Sequence, residues 1–225
     1  MTRDDAKRTA ARAAAADLPP SGVVGLGSGS TAKLFIAEVG ALVRAGRDYR
    51  GVPTSESSRL DAETFAIPLL SDEGPWHIDV TVDGADEVDA ELNLIKGGGG
   101  AHTREKIVNF ASRRNVIIVD DEKLSRHLGE KWPVPVEVLQ FGHLSTARAL
   151  SRIGRAAHRL RDGAPVITDT GGFVYDVFTG PISDVAALDR VLRDIPGVVE
   201  TGLFIGRADV VIVAGHGGVR RLTRP

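Results

Sequence analysis

The sequence predicts an α/β fold, a parallel sheet with helices on both faces, interrupted near residue 130 by a smaller α+β domain and resumed near residue 205. Two changes of rhythm carry this expectation. Up to about residue 130, short apolar runs alternate with helical patterns, the signature of parallel strands joined by helical crossovers. After Trp132-Pro133 the order becomes strand, helix, hairpin, helix and strand, and from Ala208 a buried-strand pattern returns. The main domain is thus expected at 1–130 plus 205–225, and the smaller domain at 131–204.

The elements follow in chain order. The Ala-rich N-terminus reads as a surface helix stopped by Pro19-Pro20. Gly22 to Gly27 is a strand, and Thr31 to Arg44 a helix with Leu34, Phe35, Val39, Leu42 and Val43 on its apolar face. Thr54 to Ser58 could touch a ligand but more simply caps a helix carrying Leu60. His77 to Asp83 alternates, with Ile78, Val80 and Val82 facing one way and Asp79 and Thr81 the other. Leu92 to Lys96 is a short strand, Thr103 to Arg113 a helix and Val116 to Val119 a buried strand. In the smaller domain, Val134 to Leu139 is a strand and Ser145 to Ile153 a helix. Val166 to Thr168 and Phe173 to Phe178 form a hairpin around Gly171-Gly172. Asp184 to Ile195 is a capped amphipathic helix, and Val198 to Phe204 a strand.

Composition narrows the function. The 225 residues include no cysteine, which excludes disulfides, thiolate metal sites and a Cys nucleophile, and fits a reducing compartment. A formal net charge of -2 and only short basic clusters argue against nucleic acid as a partner. No apolar run is long enough to span a bilayer, so no membrane partner is expected. The N-terminus has no continuous apolar stretch of the secretory kind. The six histidines show no metal-ligand spacing, and neither metal nor cofactor is expected.

Three glycine-punctuated motifs remain. Gly25-Leu26-Gly27-Ser28-Gly29-Ser30-Thr31 joins a strand to a helix; its backbone N–H groups and hydroxyls suit a phosphate, or it is simply a capped turn. It matches neither the dinucleotide fingerprint nor the P-loop. Asp83-Gly84-Ala85-Asp86 ends a strand, where ligands of open α/β sheets bind, though it also reads as a solvated acidic turn. Lys96 is followed by Gly97-Gly98-Gly99-Gly100, and a helix opens near Thr103 with Glu105 in its first turn. Four consecutive glycines are entropically costly in a compact domain unless the backbone must approach something closely. The helix dipole favours a carboxylate at that position. Lys123, after a buried strand, is a further candidate for phosphate or hydroxyl contact.

On these residues the chain resembles type A ribose-5-phosphate isomerases nearly end to end, most specifically from Lys96 to Lys106 with its spacing from Asp83 and Asp86. The resemblance implies a Rossmann-like parallel sheet domain with an inserted smaller α+β domain acting as lid or dimer contact. It also implies a cytoplasmic protein, usually a homodimer or a larger assembly, a small sugar phosphate as partner, and a place in the pentose phosphate pathway. It carries substrate contact to Ser28, Gly29, Ser30, Thr31, Asp83, Gly84, Ala85, Asp86, Lys96, Gly97, Gly98, Gly99 and Lys123, and the catalytic base to Glu105. Lys96 then steadies the enediolate, and Asp83, in preference to Asp86, opens the sugar ring. Two departures stand out: Ser28 where the family more often has Thr, and Gly172 where it often has Asn. Glucosamine-phosphate deaminases and CoA-transferases share the architecture but not the glycine run joined to Thr103-Arg104-Glu105-Lys106. A sugar-phosphate sensor would carry a DNA-binding segment or basic face that is missing here.

Overall fold

The computed structural model describes residues 2–224. In chain order the elements begin α1 (Arg3–Ala16), β1 (Gly22–Leu26), α2 (Ser30–Arg44), β2 (Tyr49–Pro53) and α3 (Glu56–Thr64). They continue with β3 (Val80–Asp83), β4 (Glu87–Val88), β5 (Leu94–Ile95), α4 (His102–Phe110) and β6 (Asn115–Asp120). Next come β7 (Val134–Val138), α5 (His143–Leu150), β8 (Arg155–His158), β9 (Leu160–Arg161), β10 (Ala164–Pro165) and β11 (Phe173–Phe178). The chain closes with α6 (Val185–Arg193), β12 (Val198–Thr201), β13 (Leu203–Phe204), β14 (Val210–Gly215) and β15 (Gly218–Thr223).

Two compact units result. The first holds residues 1–85, 105–123 and 207–225, and the second 86–104 and 124–206. The sequence pattern predicts a main domain unbroken to residue 130. The chain instead first changes unit at Ala85–Asp86, because β4 and β5 pair with each other and β5 pairs with β13.

In the first unit a six-stranded sheet has the order β15-β14-β6-β3-β1-β2, parallel except for β15, which pairs antiparallel with β14. On one face Val24, Leu26, Val80, Val82, Val116, Ile118, Val210 and Ile212 form a core with α1, α2 and α3. On the other, Val23, Val52 and Ile78 pack with Val108 and Ala111 of the α4 segment. With both faces covered, all four residues of β3 are buried, and the polar side of the alternation is buried too: Thr81 Oγ1 lies 2.6 Å from Ser112 Oγ. Nor is α1 a surface helix: Ala6, Ala10, Ala11 and Ala14 are buried in the core, their small side chains allowing close approach.

In the second unit β12-β7-β11-β8 form an antiparallel sheet. Its strands alternate cleanly: Val134, Val136, Val138, Tyr175 and Val177 join Leu150 of α5 and Leu192 of α6 in a core. Residues of opposite parity, among them Glu137 and Asp176, belong to the other face. The expected Val166 to Thr168 hairpin arm reduces to one bridge, Ile167 to Phe173, because β11 takes β7 and β8 as its partners. The single strand expected from Val198 to Phe204 is broken at Gly202, whose missing Cβ leaves room for the Lys96 carbonyl and the Pro135 ring. Asp184 caps α6 as expected, accepting from Ala187 N–H at 2.8 Å.

Candidate functional site

In the first unit the chain runs outward from β1 in both directions, to β2 on one side and β3 on the other, so the carboxyl ends of β1 and β3 form a topological switch point. Leu26 is in register with Val82, which brings the turn after β1 against Asp83. Gly27 is needed there: a Cβ would lie 2.5 Å from the Asp83 Cα. The Asp83 Oδ1 accepts from the backbone N–H of Ser28 at 2.9 Å and of Gly84 at 2.7 Å. Gly29, at φ 93° and ψ 179°, occupies a backbone region open almost only to glycine, and caps α2 without any side-chain hydrogen bond. The first N–H groups of α2 therefore meet no capping side chain, the arrangement that receives anions at helix N-termini.

Hydroxyls and a cation line this turn. Ser28 Oγ lies 2.8 Å from Thr54 Oγ1 and donates to Ser55 Oγ at 2.6 Å. Ser55 caps α3 as expected, and the same segment also braces the cradle. Lys7 of α1 donates from Nζ to Ser30 Oγ at 3.0 Å. Reading α1 as a surface element hid Lys7; the alanines spaced along one helix face were the signal that could have revealed it. Thr31 is half-buried in the first turn of α2, and Lys123 is half-buried in the 3-10 turn after β6. Glu105 lies in the first turn of α4 and is 5% exposed, so it is not turned out to bulk water.

The second unit holds the glycine turn. Lys96 is 3% exposed, with Nζ 5.5 Å from the centroid of the Phe204 ring. Asp86 Oδ2 accepts from the Gly98 N–H at 2.7 Å, and a Cβ on Gly98 would stand 2.8 Å from the same carboxylate. Gly97 and Gly100 have φ of 105° and 85°, and Gly100 N–H closes the turn on Gly97 O at 2.9 Å. A Cβ on Gly97 would strike the buried His102 ring at 2.7 Å. Gly99 is exposed, with nothing within 4 Å of where its Cβ would be.

The start of α4 is held from β7. Glu137, 1% exposed, accepts hydroxyl hydrogen bonds from Thr168 at 2.7 Å, from Thr170 at 2.6 Å and from Thr103. Gly172 lies against it, since a Cβ would be 2.5 Å from Glu137 Oε1. Among the described residues, no group of three or more His, Asp or Glu side chains is placed to hold a metal ion. No described helix is long and apolar enough to cross a membrane.

Residues 50–218 match the family described as ribose 5-phosphate isomerase A (phosphoriboisomerase A). The ribose-5-phosphate isomerase A of Rhodopseudomonas palustris (strain BisB5) is 47% identical over 232 residues, covering 100% of both chains. The solved ribose 5-phosphate isomerase A of Methanocaldococcus jannaschii is 42% identical, covers 99% of this chain and 100% of its own, and has a TM-score of 0.94. A D-ribose-5-phosphate isomerase solved in complex with phospho-erythronic acid is 40% identical, covers 100% of both chains and has a TM-score of 0.96.

Proposed function

Since the chain belongs to the ribose 5-phosphate isomerase A family and interconverts ribose 5-phosphate and ribulose 5-phosphate, we propose that Glu105 is the base that carries the proton between C1 and C2. The observation that carries this assignment is burial: a carboxylate held 5% exposed in the first turn of the helix that directly follows the glycine turn. A positioned carboxylate can shuttle a carbon-bound proton on one face of the substrate.

The other roles follow from chemistry. The uncapped start of α2, with Ser28, Gly29, Ser30 and Thr31, takes the phosphate, and Lys7 adds a positive charge beside Ser30. Lys123 adds a further cation at the sheet's carboxyl edge. Binding energy spent on the phosphate, remote from the reacting carbons, orients them for proton transfer. Asp83, with Oδ1 committed to two backbone N–H groups, is fixed in place to move the proton that opens the sugar ring. Negative charge grows on O1 and O2 as the proton leaves, and Lys96 with the N–H groups of Gly97 and Gly99 meets it, while the Gly98 N–H, committed to Asp86 Oδ2, holds the turn. The carboxylate in the complexed relative, phospho-erythronic acid, has an anionic end of the kind this donor set would bind.

Glu105→Gln tests the central assignment. Turnover should fall by about 10²–10⁴-fold, the contribution of general acid–base catalysis, while affinity for phospho-erythronic acid holds. An unchanged kcat removes Glu105 from the role. A homodimer in the cytoplasm completes the proposal: exposed Phe141, Leu144 and Ile167 in the second unit offer apolar surface to a second copy, and a cysteine-free chain suits a reducing compartment. A monomer in sedimentation, or recovery from an extracytoplasmic fraction, contradicts those two points.

A further inference from the structure

We propose that Arg159, held by Asp176, is a positioning residue that fixes the peptide planes of the glycine turn, so that the Gly98 N–H stays on the Asp86 carboxylate and the Gly99 N–H is left for the enediolate. This rests on reading the turn as the enediolate holder. Arg159 follows β8 directly, and its backbone N–H is fixed to Val174 O at 2.8 Å. Its guanidinium is 13% exposed and makes a fork on the Asp176 carboxylate of β11, with Nε to Oδ2 at 2.9 Å and Nη2 to Oδ1. The remaining nitrogen, Nη1, donates to two carbonyls of the turn, Gly97 O at 2.6 Å and Gly98 O at 3.2 Å.

The consequence follows from planarity. In a trans peptide the C=O of one residue and the N–H of the next point in opposite directions. With the Gly97 and Gly98 carbonyls both on Arg159, the N–H groups of Gly98 and Gly99 must point away from it. The Gly98 N–H does so, reaching Asp86 Oδ2 at 2.7 Å. The Gly99 N–H is thereby directed away from Arg159, at an exposed residue with nothing within 4 Å of where its Cβ would be. Glycine peptides have no side chains to oppose rotation of these planes. Two charge-assisted hydrogen bonds from one ion-paired cation supply that resistance. A lysine would not replace it, because an ammonium lacks the planar fork that spans the carboxylate and both carbonyls.

The test compares Arg159→Ala, Arg159→Lys and Asp176→Asn with wild type and with Lys96→Ala, each first checked for cooperative thermal unfolding. Misplacement by about 1 Å costs about 10²-fold in rate. Arg159→Ala should therefore lose about that much kcat, with KM for ribose 5-phosphate within about threefold of wild type. Arg159→Lys should recover little, and Asp176→Asn should lose less than Arg159→Ala. Millimolar methylguanidinium should restore part of the Arg159→Ala rate and leave Lys96→Ala unaffected. Wild-type kcat in Arg159→Ala, with Lys96→Ala impaired, overturns the proposal alone. Wild-type kcat in both variants overturns the reading of the turn and the proposal with it. A raised KM with lost unfolding cooperativity and no rescue also overturns it, since those are the marks of a general structural fault.

Discussion

The turns that follow β1 and β5 are both rich in glycine, yet they are held by different means. The first is fixed by the sheet: strands in parallel register bring in the Asp83 carboxylate, which takes two N–H groups, and a glycine stands where two backbones nearly touch. The second is held from outside by side chains distant along the chain. Arg159 is 62 residues from Gly97, and Glu137 is 34 from Thr103. A turn at the end of a sheet strand inherits its shape from the sheet. A longer glycine turn after a two-residue strand has no such template, and buried ionic and hydroxyl networks supply one.

That contrast can be broken in either unit. Gly27→Ala should do the greatest damage, because its methyl meets the Asp83 backbone, which has no rotamer to yield. A stability loss near the upper end of the about 1–3 kcal/mol typical of overpacking is expected, with a raised KM as Ser28 and Asp83 separate. Wild-type denaturation and KM would show that the β1 turn is looser than its geometry. Glu137→Leu should cost less, about 1–3 kcal/mol for leaving the buried Thr168 hydroxyl without its carboxylate, read as a lower Tm together with a lower kcat. An unchanged Tm would mean that the second unit does not depend on this network.

The smallest effect concerns pH. Burial first, and His143 second, hold His158 below its ordinary value of 6.5; its ring stacks on Tyr175 at 4.8 Å. The fold thus favours the neutral imidazole, whereas the unfolded chain protonates readily near pH 6.5. Its stabilisation is complete above pH 6.5 and is lost as the pH falls from there through the lowered folded-state value. Between pH 7 and 5 the Tm of wild type should fall further than that of His158→Phe. Equal falls would dismiss the histidine.

Much of the backbone geometry of the candidate site was legible because glycine is chosen where the chain approaches its neighbours closely. Gly25, Gly27, Gly97 and Gly98 would each, given a Cβ, strike Thr81, Asp83, His102 or Asp86, and those contacts are what the glycine-rich patterns reflect. The strands of the first unit were legible for the same kind of reason, since a sheet buried on both faces leaves continuous apolar runs such as Val116 to Val119. What stayed hidden was held at long range. Lys7 was concealed by an alanine face that looks like mere helix propensity. Arg159 and Glu137 sit in segments whose local pattern describes only strand ends and strand interiors. β2, β8 and β15 were also missed, β2 and β15 because charged residues interrupt their apolar pattern and β8 because Arg155-Ala156-Ala157-His158 offers little β-branched signal.

The division of the first unit into three chain segments bears on biosynthesis. β14 pairs with β6 and β15, yet it is made after the whole of the second unit. Until the ribosome has passed residue 215, β6 stays an open edge of unpaired amides, the kind of edge that recruits foreign strands. A nascent chain of this enzyme therefore has no early resting point, and its exposure to aggregation lasts nearly as long as its translation.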